Sequence, residues 1–156
     1  MALDLPETTQ KMGGPLVRQF SVFLPNKVGA MLEVVKLLNS HHVEVMALSI
    51  VEATDSAIAR MVVSDPDLVE RTFSEHGVPF GVTDMIVVEL KEVSGGLSKL
   101  LGSLLMAEVN IHFSYPLLTR PHGLAALAIH VDDNDCAASV LNGEGFKMLS
   151  QTDISR

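Results

Sequence analysis

The chain has 156 residues, of which 47% are hydrophobic and 19% charged, a composition typical of a folded globular protein. Its formal net charge is −8 and it has no cluster of lysine or arginine to contact phosphates, so we expect no nucleic-acid partner. A single cysteine excludes an intramolecular disulfide, and no apolar run approaches the ~18 residues of a membrane span. We therefore expect a cytoplasmic protein without membrane attachment.

The N-terminal segment, residues 1–15, has no hydrophobic periodicity and ends in two glycines and a proline. We predict that it is a flexible arm. Residues 17–24 then alternate apolar and polar side chains, which predicts a strand. The turn that follows runs from Pro25 to Gly29, where glycine permits a left-handed backbone or a crowded one that a Cβ would oppose.

The rest of the first half reads as a helix, a hairpin, a second helix and a short strand. The helices are predicted from apolar positions three and four residues apart, and the strands from alternation. The predicted elements after the turn are helix 30–41, strands 43–51 and 57–63, a helix that begins at Asp65 and stops at Gly77, and strand 78–83.

The second half repeats this order. Aligning Gly29 with Gly95, which lie 66 residues apart, also superposes Val22 on Val88 and Leu38 on Leu104. The predicted elements of the second half are strand 85–90, helix 96–106, strands 109–118 and 124–131, helix 135–142 and strand 146–150.

Each unit has the order strand, helix, strand, strand, helix, strand. This split βαβ order predicts an α+β fold of two ferredoxin-like βαββαβ units, each an antiparallel sheet with both helices on one face. We place the units at residues 16–83 and 84–156. Because each is close to the smallest size that sustains its own core, we expect the halves to dock on each other and on a second chain, as a homodimer.

Two turns and one strand resemble motifs of the ACT domain family, small regulatory modules of amino-acid metabolism. The first turn reads Pro25-Asn-Lys-Val-Gly-Ala-Met-Leu32, the second Glu92-Val-Ser-Gly-Gly-Leu97, and the strand after the second turn opens with Val109-Asn-Ile111. The resemblance extends from residue 17 to the C-terminus as two tandem copies with no catalytic domain attached.

The resemblance implies that a free amino acid binds where a turn of one domain meets the second strand of its neighbour. Amide groups at a helix N-terminus favour a carboxylate, which suits such a ligand. The implied ligand-binding residues are Asn26, Lys27, Val28, Gly29, Ala30, Met31, Glu92, Val93, Ser94, Gly95, Gly96 and Asn110. We favour a site that combines the Asn26 turn with Asn110, because its mirror image would bring Glu92 close to Glu44.

Simpler roles remain open for these residues. Gly29 and Gly95 also fit a purely conformational requirement at a helix start. Asn26 also fits a turn or cap residue, and Asn110 a solvent-facing residue of an edge strand.

The sequence gives little support for a metal site or a catalytic site. His112 and His130 are predicted cross-strand neighbours, but two imidazoles are too few for a closed zinc site. There is no nucleophile elbow and no phosphate-binding glycine loop. We therefore expect no metal, no cofactor and no enzymatic activity.

The expected function is a small-molecule-binding regulatory protein that senses a free amino acid and modulates a metabolic enzyme or its own assembly. One alternative is a structural subunit that binds nothing. The other is an acylphosphatase-like hydrolase, which requires a turn cation, and Lys27 is the only cation in either turn.

Overall fold

The computed structural model describes residues 15–25 and 29–155, so Asn26, Lys27, Val28 and nearly all of the predicted arm lie outside the described residues. The elements are β1 (Val17–Pro25), α1 (Ala30–Ser40), β2 (Val45–Glu52), β3 (Ser56–Val63), α2 (Pro66–Glu75), β4 (Phe80–Leu90), α3 (Val93–Met106), β5 (Ile111–Pro116), β6 (Ala125–Val131), α4 (Asn134–Gly143), β7 (Met148–Leu149) and α5 (Gln151–Ile154). A short 3₁₀ turn, Pro121–Gly123, joins β5 to β6.

The strands form one antiparallel sheet in the order β2-β3-β1-β4-β6-β5, and β7 pairs with β4. Helices α1 and α2 pack on the half of the sheet formed by β1, β2 and β3, and helices α3 and α4 pack on the half formed by β5 and β6. The predicted fold class, two ferredoxin-like βαββαβ units, is confirmed. We call the two units unit 1 and unit 2.

The strand β4 belongs to both units. Its first part pairs with β1, from Phe80 opposite Val22 to Met85 opposite Val17, and its second part pairs with β6, up to Leu90. The sequence predicts two strands here, broken near Thr83, and the boundary at 83/84 falls inside β4. The break is absent because these polar positions keep their strand pairing, Thr83 lying opposite Gln19.

The core has three parts. One cluster lies under α1 and α2 and a second lies under α3 and α4. The third joins the helix-free faces of the two units and contains Met46, Met85 and Ala128. The sheet is therefore folded on itself, with helices on both outer sides.

A buried hydrogen bond crosses this central cluster. The Tyr115 hydroxyl donates to Gln19 Oε1 at 2.6 Å, which links β5 of unit 2 to β1 of unit 1. Burial raises the pKa of Tyr115 well above its ordinary value, against the smaller lowering effect of Arg60. Nearby, the Leu118 amide donates to the Met46 carbonyl at 2.7 Å.

The C-terminal helix α5 is not predicted by the sequence pattern. Ser150 and Asp153 cap it reciprocally, Ile154 is buried in the central cluster, and Gln151 Nε2 donates to the Val63 carbonyl of unit 1 at 3.0 Å. Unit 2 is therefore tied to unit 1 by the last residues of the chain. This arrangement leaves β7 shorter than the predicted strand 146–150.

Candidate functional site

A cavity of about 250 Å³ lies where β4 ends and α3 begins. The loop between α4 and β7 forms its other wall. We call it the charged cavity. It contains Glu92, Gly95 and Gly96 of the predicted site, and its other lining residues are Glu89, Lys91, Lys99, Glu144, Gly145, Phe146 and Lys147.

Gly95 and Gly96, in the first turn of α3, line this cavity, whereas Val93 and Ser94 of the predicted site are not among its lining residues. The first bond of the helix runs from the Gly96 amide to the Glu92 carbonyl at 2.9 Å, and no side chain caps the helix. The amides of Val93, Ser94 and Gly95 precede that bond and have no acceptor within the helix. They are the type of donors that bind a carboxylate.

The Glu92 side chain lies beside these amides. A Cβ added to Gly95 would stand 3.2 Å from Glu92 Oε1, so the carboxylate lies close to the glycine backbone. A negative charge at this place is favoured by the helix dipole. The absence of a side chain at Gly95 therefore lets the Glu92 carboxylate lie close to the backbone. The φ angle of Gly95 is not in the left-handed region.

The lining of the cavity also carries positive charge. Lys99 Nζ donates to the Glu144 carbonyl at 2.7 Å and lies 5.3 Å from the centre of the Phe146 ring. This contact fixes the α4–β7 loop to α3. With Lys91 and Lys147, the lining contains both ammonium groups and carboxylates.

Unit 1 has an equivalent cavity of about 310 Å³, which we call the apolar cavity. Glu33 is the only charged residue among its described lining residues. The lining residues are Phe23, Leu24, Pro25, Ala30, Glu33, Val34, Leu37, Gly77, Val78 and Pro79. Of the predicted site, Ala30 lines this cavity and Met31 packs on the unit 1 core.

Gly29 caps α1 with φ of 89°, which confirms the predicted left-handed backbone. No atom lies within 4 Å of a Cβ added there. Conformation rather than crowding therefore requires glycine at this position.

The structure places Asn110 away from the β4–α3 turn. It is exposed and bonded to Asp132, its amide to Oδ1 at 3.2 Å and Nδ2 to Oδ2 at 3.1 Å. β6 separates it from the β4–α3 turn, because Ala125 lies opposite Leu90 and Val131 lies opposite Ile111. Six residues of strand correspond to about 20 Å, so one chain does not bring Asn110 and Gly95 together.

Glu44 occupies the corresponding place in unit 1, at the start of β2. Its amide donates to Ser64 Oγ at 2.9 Å. It too lies at the sheet end opposite the turn of its own unit.

Sequence reasoning missed seven lining residues of the charged cavity: Glu89, Lys91, Lys99, Glu144, Gly145, Phe146 and Lys147. They come from three separate segments that only the fold brings together. The repeat could have identified Lys99, because this lysine aligns with Glu33 at the spacing of 66 residues. A change of charge at equivalent positions marks a place where the two units differ in chemistry.

Histidines of unit 2 form a small aromatic cluster on β5 and β6. The His112 and His130 rings lie 5.2 Å apart, as predicted for cross-strand neighbours, and Phe113 stacks on His130 at 4.8 Å. Burial lowers the pKa of His130, and the charges of His112 and Arg60 lower it further. Among residues 15–25 and 29–155 no group of three or more His, Cys, Asp or Glu side chains is placed to hold a metal ion.

No helix within the described part of the chain has the length and apolar character needed to cross a membrane. A sequence search of curated proteins finds no match.

Solved structures share the fold. The protein BT0572 from Bacteroides thetaiotaomicron superposes with a TM-score of 0.83 at 29% identity, over 90% of this chain and 96% of that one. The ligand-free regulatory subunit of aspartate kinase from Thermus thermophilus gives 0.57 at 11% identity, over 83% and 93%. The corresponding subunit from Thermus flavus gives 0.52 at 12% identity, over 83% and 93%.

A family model described as an ACT domain pair matches residues 16–156. This range contains both units and the strand that they share. The resemblance drawn from the two turns and from Asn110 is thereby confirmed. The chain belongs to the ACT domain pair family.

Proposed function

We propose that this protein is a regulatory protein without catalytic activity that binds a free amino acid in the charged cavity. The observation that carries the proposal is the combination, in one small cavity, of an uncapped helix start with both lysine and glutamate side chains. A free amino acid carries both charges, and this lining offers a partner for each.

The ligand carboxylate fits the amide of Gly95 at the uncapped start of α3. To reach them it replaces the carboxylate of Glu92, which is exposed and free to turn away. Glu92 and Glu144 are then acceptors for the ligand ammonium group. A volume of about 250 Å³ is just below the roughly 300–1,000 Å³ of typical organic-ligand pockets, which favours a small amino acid.

The cavity is connected to unit 1 by a short segment of chain. The Lys147 carbonyl accepts a hydrogen bond from the Glu89 amide at 2.9 Å, and β7 and α5 follow at once. α5 is bonded to Val63 of unit 1 through Gln151. A ligand that holds the α4–β7 loop therefore favours one arrangement of the units over others, by the difference in its affinity for them.

Similar folds occur in regulatory subunits of aspartate kinase, which supports a regulatory role. We infer that the output is the activity of a separate metabolic enzyme or the assembly state of this protein. The acting form is a cytoplasmic homodimer. A role for Asn110 in binding at the β4–α3 turn then requires a second copy of the chain.

The test is calorimetric titration of the full chain with each standard amino acid. We expect one or a few to bind, and we expect Lys99→Glu to weaken binding by at least about tenfold, or ~1.4 kcal/mol. The matched control is Glu33→Lys, at the equivalent position of the apolar cavity, which should leave the affinity unchanged.

Lys99 also anchors the α4–β7 loop, so Lys147→Gln serves as a second variant whose carbonyl contact is retained. No binding heat from any amino acid contradicts the proposal and favours a purely structural subunit. Full affinity in both lysine variants contradicts the assigned cavity.

A further inference from the structure

Three basic side chains lie together where the helix-free faces of the two units meet. Arg60 of β3 belongs to unit 1, and its guanidinium carbon lies 4.0 Å from the centre of the Phe113 ring of unit 2. His130 stacks on the same ring at 4.8 Å, and the His112 ring lies 5.2 Å from that of His130. We call Arg60, His112 and His130 the basic cluster. Its arginine is half-buried and His112 is exposed, so the cluster is open to solvent.

The basic cluster lacks a negative counterpart. Within the described part of the chain no carboxylate forms an ion pair with any of its members, although the sequence has 19 acidic residues. Arg18 of the neighbouring strand β1 differs in this respect, since it bonds to Asp67 at 2.8 Å and to Glu70 at 3.2 Å. Like charges that are held together and partly buried cost stability. An anion among the three basic side chains removes this cost.

The guanidinium of Arg60 lies over the Phe113 ring, which engages its flat face. Its N–H groups lie at the edge of the guanidinium plane, and no acceptor for them is found among the described residues. A fork of donors in this geometry matches the oxygens of a phosphate group. The ring therefore holds the arginine in place while its donors stay available.

Two serine hydroxyls flank Arg60 on the same face of the sheet. Ser21 of β1 and Ser49 of β2 both lie directly opposite Arg60 in the strand pairing. Side chains in such pairs share a face, with Cβ atoms about 4.5–5.5 Å apart. The guanidinium thus has a further hydrogen-bond donor on each side.

A chain of hydrogen bonds from the core ends at one of these serines. The Tyr115 hydroxyl donates to Gln19 Oε1 at 2.6 Å, and Gln19 Nε2 donates to Ser21 Oγ at 3.5 Å. Because Ser21 Oγ accepts this bond, its own proton is left to donate. No acceptor for that proton is found in residues 15–25 and 29–155. The last donor of the chain therefore lies beside Arg60 and needs an acceptor.

We propose that the basic cluster, with Ser21 and Ser49, binds a phosphate group between the two units, either as inorganic phosphate or as a small phosphate ester. Guanidinium, imidazole and hydroxyl donors meet in one region, and the oxygens of a phosphate can accept from all of them. The ligand contacts Arg60 of unit 1 and His130 of unit 2, so it favours the arrangement in which the two helix-free faces stay joined. This site does not include the charged cavity, and it does not depend on amino-acid binding.

The test is an NMR titration of the full chain with inorganic phosphate at about pH 6.5, the ordinary histidine pKa, with sodium chloride keeping the ionic strength constant. We expect the imidazole resonances of His112 and His130 to shift in a saturable way. Arg60→Gln should weaken binding by at least about tenfold. The matched control is Arg18→Gln, which removes an arginine that carboxylates already occupy and should leave the phosphate affinity unchanged.

Titrations with glycerol phosphate and with sodium acetate identify the ligand chemistry. Binding of inorganic phosphate supports the site for the free anion, and binding of glycerol phosphate supports it for the phosphate group of an ester. Acetate that binds as tightly as either phosphate overturns the proposal, and so does a lack of binding by both phosphates.

Two further variants guard against misfolding and against a phosphate signal from elsewhere. Ser49→Ala removes a single hydroxyl from the edge strand β2 and should weaken phosphate binding severalfold. Lys99→Glu alters the charged cavity and should leave phosphate binding in place. Loss of phosphate binding in folded Lys99→Glu protein, or full affinity in both Arg60→Gln and Ser49→Ala, overturns the assignment. Failure of amino-acid binding leaves it standing.

Discussion

The equivalent cavities of the two units share a backbone and differ in chemistry. Phe23 in unit 1 corresponds to Glu89 in unit 2, Glu33 to Lys99, and Pro79 to Lys147. The hydrogen bond behind each cavity is the same, from the Phe23 amide to the Pro79 carbonyl at 3.1 Å and from the Glu89 amide to the Lys147 carbonyl at 2.9 Å. Duplication thus preserved the frame, while the lining side chains became free to change.

The cores under the helices differ in the same way. Unit 1 has three packed rings, Phe20, Phe73 and Phe80, with centroids 5.6 to 6.1 Å apart. Unit 2 has aliphatic residues there, such as Ile86 and Leu141. One backbone plan therefore accepts two kinds of packing, provided that the volume is filled.

The largest loss of stability is expected from a substitution in the aromatic core of unit 1. Phe73→Ala should lower the free energy of unfolding by about 3–5 kcal/mol, because it leaves a cavity beside two rings. Phe73→Leu, which introduces the type of residue found in unit 2, should cost clearly less. Urea unfolding followed by circular dichroism measures both, and equal losses would contradict the volume argument.

The next effect concerns the bond that joins the units. Tyr115→Phe removes the hydroxyl that donates to Gln19, and Gln19 is fully buried. An unpaired buried acceptor costs about 1–3 kcal/mol, so the free energy of unfolding should fall by that amount. The double variant Tyr115→Phe with Gln19→Leu should recover part of the loss, and an additive further loss would contradict this account.

The two turn glycines should respond with opposite signs. Gly29→Ala forces a left-handed backbone on alanine and should cost about 1–2 kcal/mol. Gly95→Ala lies inside the first turn of α3, where alanine is favoured by roughly 0.5–1 kcal/mol, and the exposed Glu92 side chain can move aside. Thermal unfolding of both variants measures the two changes in stability. Equal destabilisation would show that both turns require glycine to the same extent.

The sequence predicts the fold of this molecule well, but it predicts the residues of the candidate site only in part. The repeat gives both units, and Gly29 is correctly predicted as left-handed, because both depend on local pattern. The continuity of β4 through Thr83 depends on pairing with β1, which no local pattern encodes. For the same reason Lys147 is recognised as a lining residue only when the fold brings its loop to α3.

The smallest expected effect is a pH dependence that originates at His130 of unit 2. The ordinary histidine pKa is 6.5, and burial lowers that of His130 in the folded state, with His112 and Arg60 adding to the effect. Below pH 6.5 the unfolded chain therefore binds a proton more readily than the folded chain. The free energy of unfolding should fall as the pH drops below this value, until it passes the lowered pKa.

His130→Gln should flatten this fall, because the residue that carries it is gone. His42→Asn is the control, since His42 is exposed and its left-handed backbone, with φ of 60°, is tolerated by asparagine. Urea unfolding of the three proteins at a series of pH values measures the slopes. An unchanged slope in His130→Gln would assign the acid sensitivity to other groups, and NMR titration of the imidazole resonances would identify them.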